Sequence, residues 1–177
     1  MKALQSINFK NKKALIRVDF NVPLNAQFEV TDATRIVSAK PTIMKVLEDG
    51  GSCILMSHLG RPKSQEPAFS LRHIVSTLET VLGIEVLFST NCIGQNAQTA
   101  CDNLKPGQVL LLENLRYHAE ETNGSLGFAE ALSNLGDFYI NDAFGTAHRA
   151  HASTTIIAQF FSENKCFGSL LAQEIES

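Results

Sequence analysis

The chain has 177 residues, enough for one domain with a substantial buried core and too few for two of ordinary size. Its 44% hydrophobic and 19% charged residues are ordinary for a globular protein, and a net charge of -3 with a pI of about 5.9 supports neither a nucleic-acid nor an anionic-membrane partner. No apolar run reaches signal-peptide or membrane-span length. Cys53, Cys92, Cys101 and Cys166 lie far apart with no C-x-x-C, which reads as buried reduced thiols in a cytoplasmic protein rather than a disulfide framework. The close pair His148 and His151 has no cysteine nearby, so a zinc site has little support.

In chain order, apolar strand-like runs alternate with segments of helical period. Residues 14–20 read as the first strand. Residues 32–48 follow as a helix with Ile36, Ala39, Ile43 and Leu47 on one face, and Pro41 is expected to kink it. After a second strand at 52–57, Leu71, Ile74, Val75, Leu78, Val81 and Leu82 make one helical face, with Ser70 as N-cap and Gly83 as the stop. A strand at 84–88 leads to a helix bearing Ile93, Ala97, Ala100 and Leu104, ended by Pro106-Gly107. Strands at 108–113 and 137–141 come next, and 154–161 reads as plain hydrophobic structure without ligand groups. Residues 169–177 read as an amphipathic helix that stops without a capping signal, as if cut. Several strands are nearly continuous apolar runs, as expected when helices cover both faces. The pattern predicts a three-layer αβα sandwich with an open, mainly parallel sheet and Rossmann-like βα repeats.

The placement of the arginines carries the functional reading. Of the six (Arg17, Arg35, Arg61, Arg72, Arg116, Arg149), four come just after a predicted strand or at the start of the following helix: Arg35, Arg61, Arg116 and Arg149. Carboxyl ends of parallel strands share one rim, where small ligands bind. Several guanidinium groups converging there call for an anion, and arginine favours bidentate recognition of phosphate or carboxylate. Solvated surface ion pairs are the alternative. Asp19 and Asn21 end the first strand and suit a ligand hydroxyl; the alternative for Asp19 is a turn cap or a pair with a rim arginine. His58, close to Arg61, can donate to a phosphate oxygen, or it can be a structural hydrogen-bonder. Gly60 and Gly145 permit tight turns with inward N–H groups. No phosphate-binding G-x-x-x-x-G-K-[ST] loop, no strand-anchored G-x-G-x-x-G and no G-x-S-x-G elbow is present, which disfavours a dinucleotide-binding dehydrogenase domain and an α/β-hydrolase.

RVDFNVP (17–23), TDATRI (31–36), SHLGRPK (57–63), LLENLRYHAEE (111–121) and NDAFGTAHRAHAST (141–154) resemble successive signatures of the phosphoglycerate kinase family, in its order and roughly its spacing. The resemblance covers nearly all of this chain but less than half of a family member. It implies that Asp19 and Asn21 hold the 2-hydroxyl region of 3-phosphoglycerate, and that His58, Arg61, Arg116 and Arg149 clamp its 3-phosphate. Arg35 would lie near the carboxylate and stabilise the phosphoryl group in flight. The implied reaction passes a phosphoryl group between 1,3-bisphosphoglycerate and ADP. Its acceptor in reverse is an already ionised carboxylate, so no general base is needed. Residues 1–168 would be the substrate domain and 169–177 the start of the connecting helix. Mg-ATP or Mg-ADP, and the hinge closure, would belong to a carboxy-terminal domain outside this chain, and the whole enzyme would be a monomer. The family reading departs at Thr155, Ile156 and Gln173, and at Tyr117, where Phe is frequent. The remaining alternative is a non-catalytic anion-binding or interaction domain.

Overall fold

A computed structural model describes residues 2–143 and 150–169. Six short strands, β1 (Lys13–Arg17), β2 (Ser52–Met56), β3 (Val86–Ser89), β4 (Val109–Leu112), β5 (Phe138–Asn141) and β6 (Lys165–Phe167), pair in parallel in the order β3-β4-β2-β1-β5-β6. Among the described residues five α-helices accompany them: α1 (Thr34–Glu48), α2 (Val75–Leu82), α3 (Gln95–Asp102), α4 (Glu120–Asn123) and α5 (Leu126–Ser133). Strands β2, β4 and β5 are buried along their whole length, which is why their sequences run apolar without alternation.

The register divides the strand side chains between two cores. Leu15, Ile54, Leu110 and Tyr139 are register partners on one face, and they pack with Ala97 and Cys101 of α3 and Phe128, Ala129 and Leu132 of α5. Ile16, Leu55, Leu111 and Ile140 face the other way, onto Ile36, Ala39, Ile43 and Val46 of α1 and Leu78 and Leu82 of α2. This is the expected three-layer α/β sandwich. Among the described residues no helix is long and apolar enough to cross a membrane.

Where the elements differ from expectation, the reason is local. The first strand ends at Arg17, although Val18 and Phe20 remain fully buried. Phe20 N–H donates to Ser57 Oγ at 2.9 Å instead of entering the ladder. Apolar sequence reports burial, not strand pairing. Helix α1 runs through Pro41 as a single element. The carbonyl that loses its donor there belongs to Val37, which is among the exposed residues, so the loss falls on the solvent side of the helix. Ser70 accepts from Arg72 N–H as predicted, but a 3-10 turn (Leu71–Ile74) precedes α2, and Gly83 closes it at φ 73°. Strand β6 and helix α4, of three and four residues, are too short to show a period, and neither they nor α5 were anticipated. The predicted terminal helix lies outside the described residues except for Ser169.

Candidate anion-binding site

All strand carboxyl ends reach one rim, and the chain leaves β1 toward β2 on one side while β5 lies on the other, the kind of switch point at which parallel sheets bind ligands. Loops from the rim are fastened to one another at Gly60, after β2. Its φ of 61° is left-handed, and a Cβ there would run into the Phe69 ring, so only glycine fits without a shift. Gly60 N–H donates to Asn21 Oδ1 at 2.8 Å, and its carbonyl accepts from Arg116 Nη1 at 3.4 Å. A backbone N–H can only donate, which orients the Asn21 amide with its oxygen toward Gly60. Arg35, in the first turn of α1, donates from Nη1 to the Asn21 carbonyl at 2.8 Å and to Asp19 Oδ1 at 3.2 Å. Asn21 and Gly60 thus form a bridge with Arg35 on one side and Arg116 on the other. Arg61 follows Gly60 directly and is exposed.

The bridge is held from beneath by the residues after β4. Asn114, 1% exposed, donates from Nδ2 to the carbonyls of Leu59 at 2.8 Å and Phe69 at 2.9 Å. Its Oδ1 accepts from Leu59 N–H at 3.2 Å and Arg116 N–H at 2.9 Å. The amide's full capacity of two donors and two acceptors is therefore spent joining the loop of His58 and Arg61 to the turn of Arg116. Glu113 accepts from Ser70 Oγ at 2.6 Å and Leu71 N–H at 2.8 Å. Tyr117 hydroxyl donates to the Glu66 carbonyl at 2.6 Å, and burial pushes this phenol up to about 12.

Electrostatics centre on His58, which is 4% exposed. Burial drives its imidazole down to about 2, reinforced by the charges of Arg17, Arg116, His151 and Arg35. The ring is therefore neutral at physiological pH, and Arg116 and Arg35 are near enough to act on it. Arg17, the last residue of β1, has no exposed surface. Its Nη2 donates to His58 Nδ1 at 3.0 Å, its Nε donates to Ser153 Oγ at 2.8 Å, and Nη1 donates to the Val18 carbonyl. Among the described residues no group of three or more His, Cys, Asp or Glu is placed to hold a metal ion.

Comparison with known proteins bears on what such a rim serves. A family model described as phosphoglycerate kinase matches residues 4–177. The chain belongs to that family. Phosphoglycerate kinases from Porphyromonas gingivalis and Chlorobium phaeovibrioides are 46% and 50% identical to it over 98% and 90% of its length. The chain covers 47% and 40% of those two relatives. The crystal structure of phosphoglycerate kinase from Pyrococcus horikoshii superposes with a TM-score of 0.88 at 30% identity, over 99% of this chain and 44% of that one. The structure of phosphoglycerate kinase from Coxiella burnetii gives 0.84 at 34% identity, over 96% and 42%. The chain thus spans less than half the length of the relatives it matches.

Of the residues expected to serve a phosphoglycerate kinase site, Asp19, Asn21, Arg35, His58 and Arg116 are joined at the rim by hydrogen bonds, directly or through Gly60, or by charge. Arg61 adjoins them in the chain. Arg149 and Gly145 lie outside the described residues. For Asp19 the structure shows the alternative reading: it caps Asn21 N–H at 3.1 Å and pairs with Arg35. The Gly60 N–H, expected to face inward from a tight turn, is given to Asn21. Sequence reading passed over Arg17, Glu113, Asn114, Glu121 and Ser153. For Arg17 a signal existed, because a cation inside the apolar run 14–20 must be buried and therefore paired.

Proposed function

We propose that this chain is the substrate-binding part of a phosphoglycerate kinase and holds 3-phosphoglycerate or 1,3-bisphosphoglycerate at the rim. The single observation that carries the reading is the Asn21–Gly60 bridge with Arg35 bonded to one end and Arg116 to the other, beside a buried His58 ring on which both charges act. His58, Arg61, Arg116 and Arg149 would grip the 3-phosphate, and Asp19 and Asn21 the hydroxyl region. Arg35, 54% exposed at its side chain, would turn from Asp19 to the reacting carboxylate and the transferring phosphoryl group. A carboxylate is ionised at neutral pH, so the chemistry asks for positioning and charge neutralisation rather than a base. A site with several arginines and a histidine held neutral suits that demand.

The remaining length of the relatives, outside this chain, would carry Mg-ATP or Mg-ADP and close over the substrate, the whole enzyme working as a monomer. Residues 1–168 would form the substrate domain, and the helix from 169 would lead to its partner. Ser169 N–H donates to Thr42 Oγ1 on α1 at 2.9 Å, which fastens that exit to the domain. Four buried free cysteines suit a reducing cytoplasm.

Calorimetric titration with 3-phosphoglycerate tests the site. A charge-assisted arginine contact contributes about 1.5–3 kcal/mol, so Arg116→Ala should weaken binding at least about tenfold. Equal affinity for wild type and variant rejects the phosphate clamp. Mg-ATP added to this chain alone should give no turnover.

A further inference from the structure

The motifs RVDFNVP, LLENLRYHAEE and NDAFGTAHRAHAST each contribute one residue that the proposed ligand contacts leave unused: Arg17, Glu121 and Ser153. All three are fully buried and bonded together. Glu121 Oε1 accepts from Ser153 N–H at 2.9 Å, and Glu121 Oε2 accepts from Ser153 Oγ at 2.5 Å and lies 3.9 Å from Arg17 Nη2. Tyr139 hydroxyl, from β5, donates to the Ser153 carbonyl at 2.7 Å. A buried cation facing a buried carboxylate is expected in any core that must hide charge. Here, however, Arg17 does not spend its donors on Glu121. Its Nη2 donor reaches the rim and ends on His58 Nδ1 at 3.0 Å.

The chemistry of that contact has one outcome. A guanidinium has five N–H donors, no acceptor, and stays protonated in proteins. The imidazole nitrogen facing it must therefore be the unprotonated one, and the ring proton is confined to Nε2. Left alone, an imidazole exchanges between two neutral tautomers, only one of which presents a donor at Nε2.

Taking the proposed anion site as given, we infer that Arg17 is a positioning residue, which locks His58 as the Nε2–H tautomer and so keeps a fixed donor for an oxyanion at the rim. Glu121 and Ser153 hold the guanidinium in place. Because Ser153 follows the NDAFGTAHRAH segment, the same anchor ties the end of that segment to His58. The rim gains a neutral donor backed by a buried positive charge, and no second acidic proton.

The test reads the ring directly. Long-range proton–nitrogen NMR of the histidine-labelled chain at pH 7, without ligand, should show a single neutral Nε2–H tautomer for His58. Arg17→Met paired with Glu121→Gln, which removes the donor and its counter-charge together, should yield averaged tautomer shifts. Should that pair not fold, Arg17→Lys keeps a cation beside Glu121, but its single ammonium cannot span Ser153, Val18 and His58, and the His58 shifts should again move toward averaging. Titration with 3-phosphoglycerate then asks whether Arg17 acts through His58. The paired variant should lose about tenfold in affinity, and that loss should vanish in a His58→Ala background. An Nδ1–H signal in the wild type, unchanged ring shifts in the variants, or an undiminished loss without His58 overturns the inference. If no protein binds 3-phosphoglycerate, the ligand reading fails while the NMR result still decides the tautomer.

Discussion

Removing His58 should make the protein less sensitive to acid, by an amount the structure fixes. The folded imidazole is held near 2, chiefly by burial and secondarily by the charges of Arg17, Arg116, His151 and Arg35. In the unfolded chain it returns to an ordinary value of about 6.5. Between these limits the unfolded state binds a proton that the folded state refuses, so stability falls as pH drops below about 6.5. From pH 7.5 to pH 5 the fall is about 1.5 units at about 1.4 kcal/mol each, or about 2 kcal/mol. Any folded value well below 5 leaves this figure nearly unchanged. His58→Gln keeps a side-chain acceptor for Arg17 but cannot take the proton. Urea unfolding of both proteins at several pH values from 7.5 to 5 gives the difference in stability, in which contributions from the carboxylates cancel. The variant should gain about 2 kcal/mol relative to wild type over that range. A difference that stays flat with pH would mean that His58 titrates normally when folded, and the picture of cations gathered about a buried ring would be wrong.

Asn114→Ala should cost about 3 kcal/mol or more in urea unfolding, because it strands the buried backbone groups of Leu59 and the half-buried carbonyl of Phe69, and it should also weaken 3-phosphoglycerate binding by loosening the Arg116 turn. Gly60→Ala combines a left-handed φ with a clash against the Phe69 ring, and should lower stability by about 2 kcal/mol or more in the same measurement. Tyr117→Phe loses one hydrogen bond to the half-buried Glu66, so unfolding should register no more than about 1 kcal/mol, with unchanged affinity by calorimetry.

The strands and two-sided burial of this fold were legible because apolar runs such as 52–57 and 108–113 reflect the layers that cover them. The ends were less so: Val18 and Phe20 look like strand and are buried like strand, but a serine hydroxyl takes the Phe20 amide. Helix α4 and strand β6 draw their stability from neighbours rather than from their own few residues, which a periodicity cannot report. At the site, Arg35 and Arg116 could be found because their topological address is written in the order of elements. Asn114 could not, since an asparagine after a strand reads as a turn, and its four bonds exist only once two distant loops meet. Asp19 was legible only as a choice between roles, and the structure realises the turn cap and the ion pair together.

The two ion pairs at and below the rim divide its charge by depth. Arg17 and Glu121 are both completely buried, so removing either strands a charge away from water at a cost of about 3–5 kcal/mol, and no ligand can replace one partner. Arg35 and Asp19 meet with the arginine side chain 54% exposed, where such a pair is worth about 0–1 kcal/mol. Under the proposed function, an arriving anion would take Arg35 from Asp19 at little expense, and the released carboxylate would be free to accept from a hydroxyl on the same molecule. The pair that holds its charge fixed sits where water cannot reach, and the pair that the proposed function asks to exchange partners sits where water already does.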